Sequence, residues 1–323
     1  MRRALLIALV SLLCELASAQ ARPGPGSFSF GLFGDMPYFE FERAAAFSIV
    51  RDMGEDSLAF VVHTGDIKSG WDRCTDAAMS WNRTLFDNSR HALIYVPGDN
   101  DWTDCHRASN GGYDPEERLR RLREIFYPNE SSLGQHPIKL ARQSDDPRYR
   151  DYRENVRWQH GGVLFVGLNV PGSNNNFGRS ARSDAEYRRR SAANIAWLTQ
   201  SFELASRRLM RAVVIVMHAD PLFELPETEK SRHGYNDFLR HLQAVSIAFG
   251  KPVLLAHGDT HHYRVDHPLV DHTTGRPLKT FTRVETFGTP FLGWVKVTVD
   301  TATPDLFVLE PMPFQKPERE SND

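Results

Sequence analysis

Along the chain, short apolar runs alternate with longer amphipathic stretches, the rhythm of an α/β protein. Ser27 to Phe33 alternates polar and aromatic residues and predicts a strand ending at Gly34-Asp35. Phe39 to Met53 predicts a helix with Phe41, Ala45 and Ile49 on one face, and Leu58 to His63 a buried strand running into Gly65-Asp66. A helix carrying Trp81 and Leu85 precedes the stretch around which the rest is organised, His91 to Cys105 (HALIYVPGDNDWTDC). There Ala92 to Val96 reads as a strand, Pro97-Gly98 ends it, and Asp99, Asn100 and Asp101 follow at once.

The second half continues the rhythm. Pro115 to Phe126 predicts a helix with proline at its start and acids in its first turn. Asn129 to Asn155 lacks periodicity and reads as a charged surface excursion. Val163 to Leu168 is a strand, followed by a polar loop, Gly172 to Gly178. Asp184 to Met210 predicts a long helix whose stripe of Ile195, Leu198, Phe202, Ala205 and Leu209 faces the core. Ala212 to Met217 is a strand ending at His218, and a helix at Asp237 to Phe249 leads to the strand Val253 to Ala256. That strand ends in His257-Gly258-Asp259-Thr260-His261, and Thr280 to Leu309 alternates like antiparallel strands.

Composition adds an address. The chain has 323 residues, 41% hydrophobic and 25% charged, with net charge −2, which is globular and gives nucleic acid no basic footing. Residues 1–19 have the layout of a signal peptide: Arg2-Arg3, the apolar run Ala4 to Leu13, then Ala17-Ser18-Ala19 before cleavage at Ala19-Gln20. The expected organisation is a signal at 1–19, a mobile leader at 20–26, one folded domain at 27–311 and a polar tail at 312–323. A secreted or periplasmic protein is expected, with no membrane span once the signal is removed. In an oxidising compartment Cys74 and Cys105, each a few residues beyond a Gly-Asp strand tip, are expected to pair, free buried thiols being the alternative.

Five predicted strands end in Asp35, Asp66, Asp99, His218 and the Asp259/His261 pair. Strand tips on one sheet edge lie together, and four carboxylates there need cations to stay ionised. One or two divalent metals held by Asp and His are the economical answer.

The order GD…GD…GDND…H…GDTH resembles the calcineurin-like metallophosphoesterase superfamily, relatives of the purple acid phosphatases, over about Ser27 to Pro311. The resemblance implies a four-layer α/β/β/α sandwich with two mixed sheets and a two-metal site on the loops between them. It implies metal ligands at Asp35, Asp66 (bridging), Asp99, His218, Asp259 and His261, with Asn100 in the place of the catalytic histidine. The activity implied is hydrolysis of a small phosphate mono- or diester by a metal-bound hydroxide.

Three departures stand out. Pro37 replaces a histidine ligand, with Tyr38 beside it as a minor substitute; Asp99 and Asp259 replace neutral ligands; Asn100 cannot transfer a proton. An Asp-rich cage favours Mn, Fe or Mg over Zn, with a trivalent ion as one way to restore net positive charge. Arg73, His106 and Arg107, and Lys68 beside them, are candidates to bind substrate phosphate, with solvated surface charge as their ordinary reading. His63, His106, His257 and His262 are candidates for the missing proton donor. The alternative function is a non-catalytic, metal-stabilised binding or structural protein on the same fold. The sequence assigns neither substrate nor oligomeric state.

Overall fold

The computed structural model describes residues 26–271, 274–303 and 306–315. The signal segment, all of the leader but Gly26, and residues 316–323 of the tail lie outside the described residues. In chain order the elements are β1 (Phe28–Phe33), α1 (Arg43–Glu55), β2 (Val61–His63), α2 (Asp76–Asp87), β3 (Leu93–Tyr95), α3 (Pro115–Phe126), β4 (Ala141–Arg142), β5 (Val156–His160) and β6 (Val163–Gly167). They continue with α4 (Gly172–Asn175), α5 (Ala181–Arg207), β7 (Ala212–Val216), α6 (Asn236–Phe249), β8 (Val253–His257), β9 (Arg264–Asp266), β10 (Val270–Asp271), β11 (Arg276–Pro277), β12 (Phe281–Glu285), β13 (Gly293–Val299) and β14 (Phe307–Pro313).

Two mixed sheets face each other, one ordered β14-β13-β1-β2-β3 and the other β4-β5-β6-β7-β8-β12-β9. Their inner faces share one core: Phe30, Leu32 and Val62 from the first sheet meet Phe165, Val214 and Ala256 from the second. The alternate residues of the same strands point outward. Leu164, Val166, Val213 and Ile215 pack under α5 and α6 through Trp197, Phe202 and Phe238. Phe33, Val61 and Leu93 pack under α1, α2 and α3 through Ile49, Met53, Leu85 and Phe126. The result is the four-layer α/β/β/α sandwich.

Local chemistry sets the helix starts. Thr75 accepts from the Ala78 N–H at 3.1 Å to cap α2, and Asp114 accepts from Glu116 N–H at 3.1 Å ahead of Pro115 in α3. Strands β1, β2 and β3 run parallel, as do β6, β7, β8 and β12, so their C-terminal tips gather at the sandwich edge. At the far side of the first sheet, β14 is an edge strand whose residues are mostly part-exposed or exposed.

Three details differ from the sequence reading. Phe41 is 79% exposed, because Glu40–Glu42 forms a 3-10 turn ahead of α1 and the buried stripe is Ala46, Ile49, Val50 and Met53. Leu209 is 80% exposed at φ 54°, because α5 stops at Arg207 and the chain turns before β7. The stretch from Asn129 to Asn155 is no mere surface excursion: it supplies β4 and the buried Gln143, Glu154 and Asn155. Those polar groups satisfy one another, Asn155 Nδ2 donating to Gln143 Oε1 at 2.7 Å and Arg123 bonding Glu154 at 2.6 Å, so hydropathy gives no sign of their burial.

Candidate metal centre

The carboxylates arrive on abrupt turns. Asp35, Asp66, Asp259 and His261 have φ values of 54°, 56°, 82° and 65°, left-handed conformations that cost non-glycine residues of order 1 kcal/mol each. Their glycine neighbours allow the close approach. A Cβ on Gly65 would lie 2.6 Å from His218 Nδ1, and one on Gly172 would lie 2.6 Å from Asp259 Oδ1. A side chain on Gly172 would press between Asp259 and Asp99, and one on Gly65 would collide with the His218 ring and the Gly98 backbone.

His218 sits at the middle, fully buried. Its Nδ1 lies 2.9 Å from the Thr64 carbonyl, so the Nδ1–H donates there and Nε2 faces the acids. Nε2 is 3.0 Å from Asp99, 3.4 Å from Asp66 and 3.7 Å from Asp259. Two groups of potential ligands share it: Asp35, Asp66 and His218, and Asp99, His218 and Asp259, the offered atoms within 4.8 Å of one another in each. His261 repeats the arrangement, with Nδ1 2.6 Å from the Thr289 carbonyl and Nε2 3.5 Å from Asp35. All six residues that the sequence marks as ligands therefore meet at one place.

The neighbours organise the acids. Asp101, 1% exposed, accepts from the N–H groups of Asp66, Ile67 and Gly98 at 3.0, 2.8 and 2.7 Å and from the Tyr95 hydroxyl at 2.6 Å. It thereby fixes the β2 and β3 tips to each other. Asn100 donates its backbone N–H to Asp66 Oδ1 at 3.0 Å and its side-chain amide to Asp66 Oδ2. The Tyr38 hydroxyl donates to Asp66 at 2.9 Å and stands 3.2 Å from His261 Nε2. The disulfide Cys74–Cys105, with Cα atoms 5.7 Å apart, ties the loop after β2 to the loop after β3.

Electrostatically the cluster is short of positive charge. Burial pushes Asp35 and Asp66 well above the carboxylate range; His218 opposes this, while the neighbouring acids add to it. Burial and the charge on Asp99 push Asp259 up to about 7. Burial works against protonation of His218, yet Asp66, Asp99 and Asp35 raise it well above the usual imidazole value. Burial and the adjacent acids likewise hold Tyr38 protonated. A cation would answer this deficit. The donor atoms fit one: Asp35 Oδ2 is buried with no hydrogen-bond partner among the described residues, and both imidazoles turn Nε2 inward. Four carboxylates with two imidazoles are an oxygen-rich set suited to hard cations.

The predicted substrate cations spread out. Arg107 is exposed at the rim, paired with Asp104 at 2.7 Å, and Arg73 is exposed over the Tyr113 ring at 6.0 Å. His106 is half-buried, its Nδ1 2.8 Å from the Thr103 carbonyl. Lys68 is 6% exposed rather than a surface charge. Of the proposed proton donors, His63 is buried against Phe33 and Phe86, and His257 is buried in β8; His262 is exposed.

Sequence reasoning missed a second tier. Ser173 Oγ donates to Asp99 at 2.7 Å and lies 2.9 Å from Asp104, whose carboxyl burial and Asp99 raise to about 7. Ser173 rides on a left-handed turn in which Ser173, Asn174, Asn175 and Asn176 all have φ between 50° and 63°. Buried Arg190 of α5 grips that turn, donating to Asn175 Oδ1 at 2.6 Å and Asn175 O at 3.0 Å. The consecutive asparagines, which tolerate this conformation, were the available signal.

No family model matches the chain. No curated protein matches it either. Among solved structures, PhoD is similar with a TM-score of 0.53 at 12% identity, over 90% of this chain and 70% of that one. Phosphopantetheinyl hydrolase (PptH) from Mycobacterium tuberculosis matches at a TM-score of 0.41 and 15% identity, over 81% of this chain and 90% of that one. The 5'-nucleotidase from Candida albicans matches at 0.42 and 12%, over 89% of this chain and 51% of that one. These neighbours have the calcineurin-like metallophosphoesterase fold, and the likeness to PhoD shows that fold in this chain.

Proposed function

We propose that the protein is an exported, metal-dependent phosphoesterase acting on a small phosphate mono- or diester. The observation that carries the reading is the pair of potential ligand groups meeting at His218, on the fold that the likeness to PhoD shows. Asp35, Asp66 and His261 would hold one cation, and Asp66, Asp99, His218 and Asp259 a second, the single free nitrogen of His218 serving one ion. Bound cations of this kind supply charge neutralisation to phosphoryl oxygens and acidify a nucleophilic water. Mn, Fe or Mg suits the donor set better than Zn.

The chain's own groups divide the remaining work. Thr64 and Thr289 carbonyls fix the imidazole tautomers. Asn100 and Tyr38 orient Asp66, and the Tyr38 phenol is an exchangeable proton held inside the site, where Asn100 offers none. Exposed Arg107 stands at the rim to meet an anionic substrate. Export is supported by the signal-like segment and by the Cys74–Cys105 disulfide; among the described residues no helix is long and apolar enough to cross a membrane.

The test is metal analysis of purified protein with hydrolysis of 4-nitrophenyl phosphate and bis(4-nitrophenyl) phosphate. The expected result is stoichiometric metal, turnover lost on chelation, and loss of both in Asp66→Ala. Metal without turnover of either ester would establish the non-catalytic alternative, and absence of metal would overturn both readings.

A further inference from the structure

Beside the centre lies a cavity of about 290 Å³ lined by Tyr38, Phe39, Arg43, Lys68, Trp81 and Asn82, among others. It touches the centre through Tyr38, whose hydroxyl reaches Asp66 at 2.9 Å, and through Lys68, which follows Asp66 on the same loop. Its walls include the apolar faces of Pro37, Ile67 and Trp81. Two buried polar groups line it. Lys68 makes one hydrogen bond, to the Ser69 carbonyl at 3.0 Å, and no carboxylate pairs with it among the described residues, so its ammonium retains donors. Asn82 is 3% exposed, and its orientation is fixed because Nδ2 donates to the carbonyls of Ile67 at 2.9 Å and Ala78 at 3.1 Å. Its Oδ1 is left with no partner among the described residues.

A buried donor and a buried orphan acceptor in one cavity call for a group that both accepts and donates. A hydroxyl does so; an alkyl group does neither, and a carboxylate only accepts. The rim opposes anions as well, since Glu40 and Asp72 are exposed there and Arg43 is already paired with Glu40 at 2.9 Å. We propose that this cavity seats the leaving group of the phosphoester and selects hydroxyl-bearing alcohols, a sugar or other polyol, through Lys68 Nζ as donor and Asn82 Oδ1 as acceptor. The proposal rests on the phosphoesterase reading and narrows its substrate class.

The experiment compares glycerol 1-phosphate with propyl phosphate in the metal-loaded protein, in Lys68→Met and Asn82→Leu, and in Lys68→Arg as the conservative variant. The ratio of the two kcat/KM values is the readout, so a general loss of activity cancels. Wild type is expected to favour the glycerol ester about 10- to 100-fold, the range for a hydroxyl satisfying a charged donor and a buried acceptor. The ratio should fall to about threefold or less in Lys68→Met and Asn82→Leu and recover in Lys68→Arg. Calorimetric binding of 3,4-dihydroxybutylphosphonate against butylphosphonate provides a readout without turnover. If neither ester is hydrolysed but the dihydroxy phosphonate binds about tenfold tighter, the subsite stands and the hydrolase reading falls. Equal turnover of both esters, equal binding of both phosphonates, or a preference untouched in the two variants overturns the subsite.

Discussion

Replacing Arg190 by methionine removes a cation that is 1% exposed and lies inside the fold. Its guanidinium bonds Glu186 at 2.8 and 3.1 Å, the Asn169 carbonyl at 3.0 Å, and Asn175 at 2.6 and 3.0 Å, and lies 5.2 Å from the Trp102 ring centroid. Methionine fills much of the volume but leaves Glu186 buried without its countercharge, a loss of about 3–5 kcal/mol. A second consequence is local. Four successive left-handed residues store about 4 kcal/mol or more, less where asparagine eases the conformation. Without the bonds to Asn175 the turn is free to relax, and Ser173 Oγ then leaves Asp99.

Urea titration should show stability lower by about 3–5 kcal/mol, and hydrogen exchange should accelerate across residues 172–178. The double variant Arg190→Met/Glu186→Leu should regain part of the stability, because no buried charge is stranded, while exchange in the turn stays fast. A loss below about 1 kcal/mol in the single variant, or unchanged protection of the turn, would refute the reasoning.

Two further outcomes follow from the covalent and titratable groups. The Cys74–Cys105 bridge closes a loop of sequence separation 31, so Cys74→Ala/Cys105→Ala should lower stability by about 3–4 kcal/mol in urea titration; a midpoint unchanged from wild type would count against it. Burial lowers the pKa of His63 to about 3, so the unfolded chain takes up a proton that the native state refuses. Its contribution to stability is complete above about pH 6.5 and declines as pH falls, by about 2 kcal/mol at pH 5. His63→Gln should flatten the slope of stability against pH over that interval; an identical slope would show that His63 is not held neutral.

The strand tips were legible because two local signals coincide there, an apolar run and a Gly-Asp pair, and because the sandwich brings every such tip to one edge. The long helices were legible from their stripes, while their ends were not. Phe41 and Leu209 fit the helical spacing yet lie on turns at 79% and 80% exposure, since termination depends on where the next strand begins. Tyr38, given a minor role by its chain position, reaches Asp66 across the site. Asp101, which in sequence stands beside Asp99 at the same strand tip, proves to be the anchor of two loops. Arg190 looks like one of several helix arginines, and only packing distinguishes it. Polar groups whose partners lie far away in sequence carry no periodicity, so their burial emerges only with the tertiary structure.

The five-stranded sheet shows how its growth is halted. On its outer strand, Pro311 pairs across from Val295 and Pro313 from Gly293. A proline nitrogen has no hydrogen to give, so these residues can sit in the ladder only with that nitrogen directed away from β13. The rim that a stranger's strand would need to zip onto therefore lacks two successive donors at its C-terminal end, and Leu133 covers Leu93 of β3 at the opposite rim. The polypeptide thus carries its own guard against edge-to-edge polymerisation.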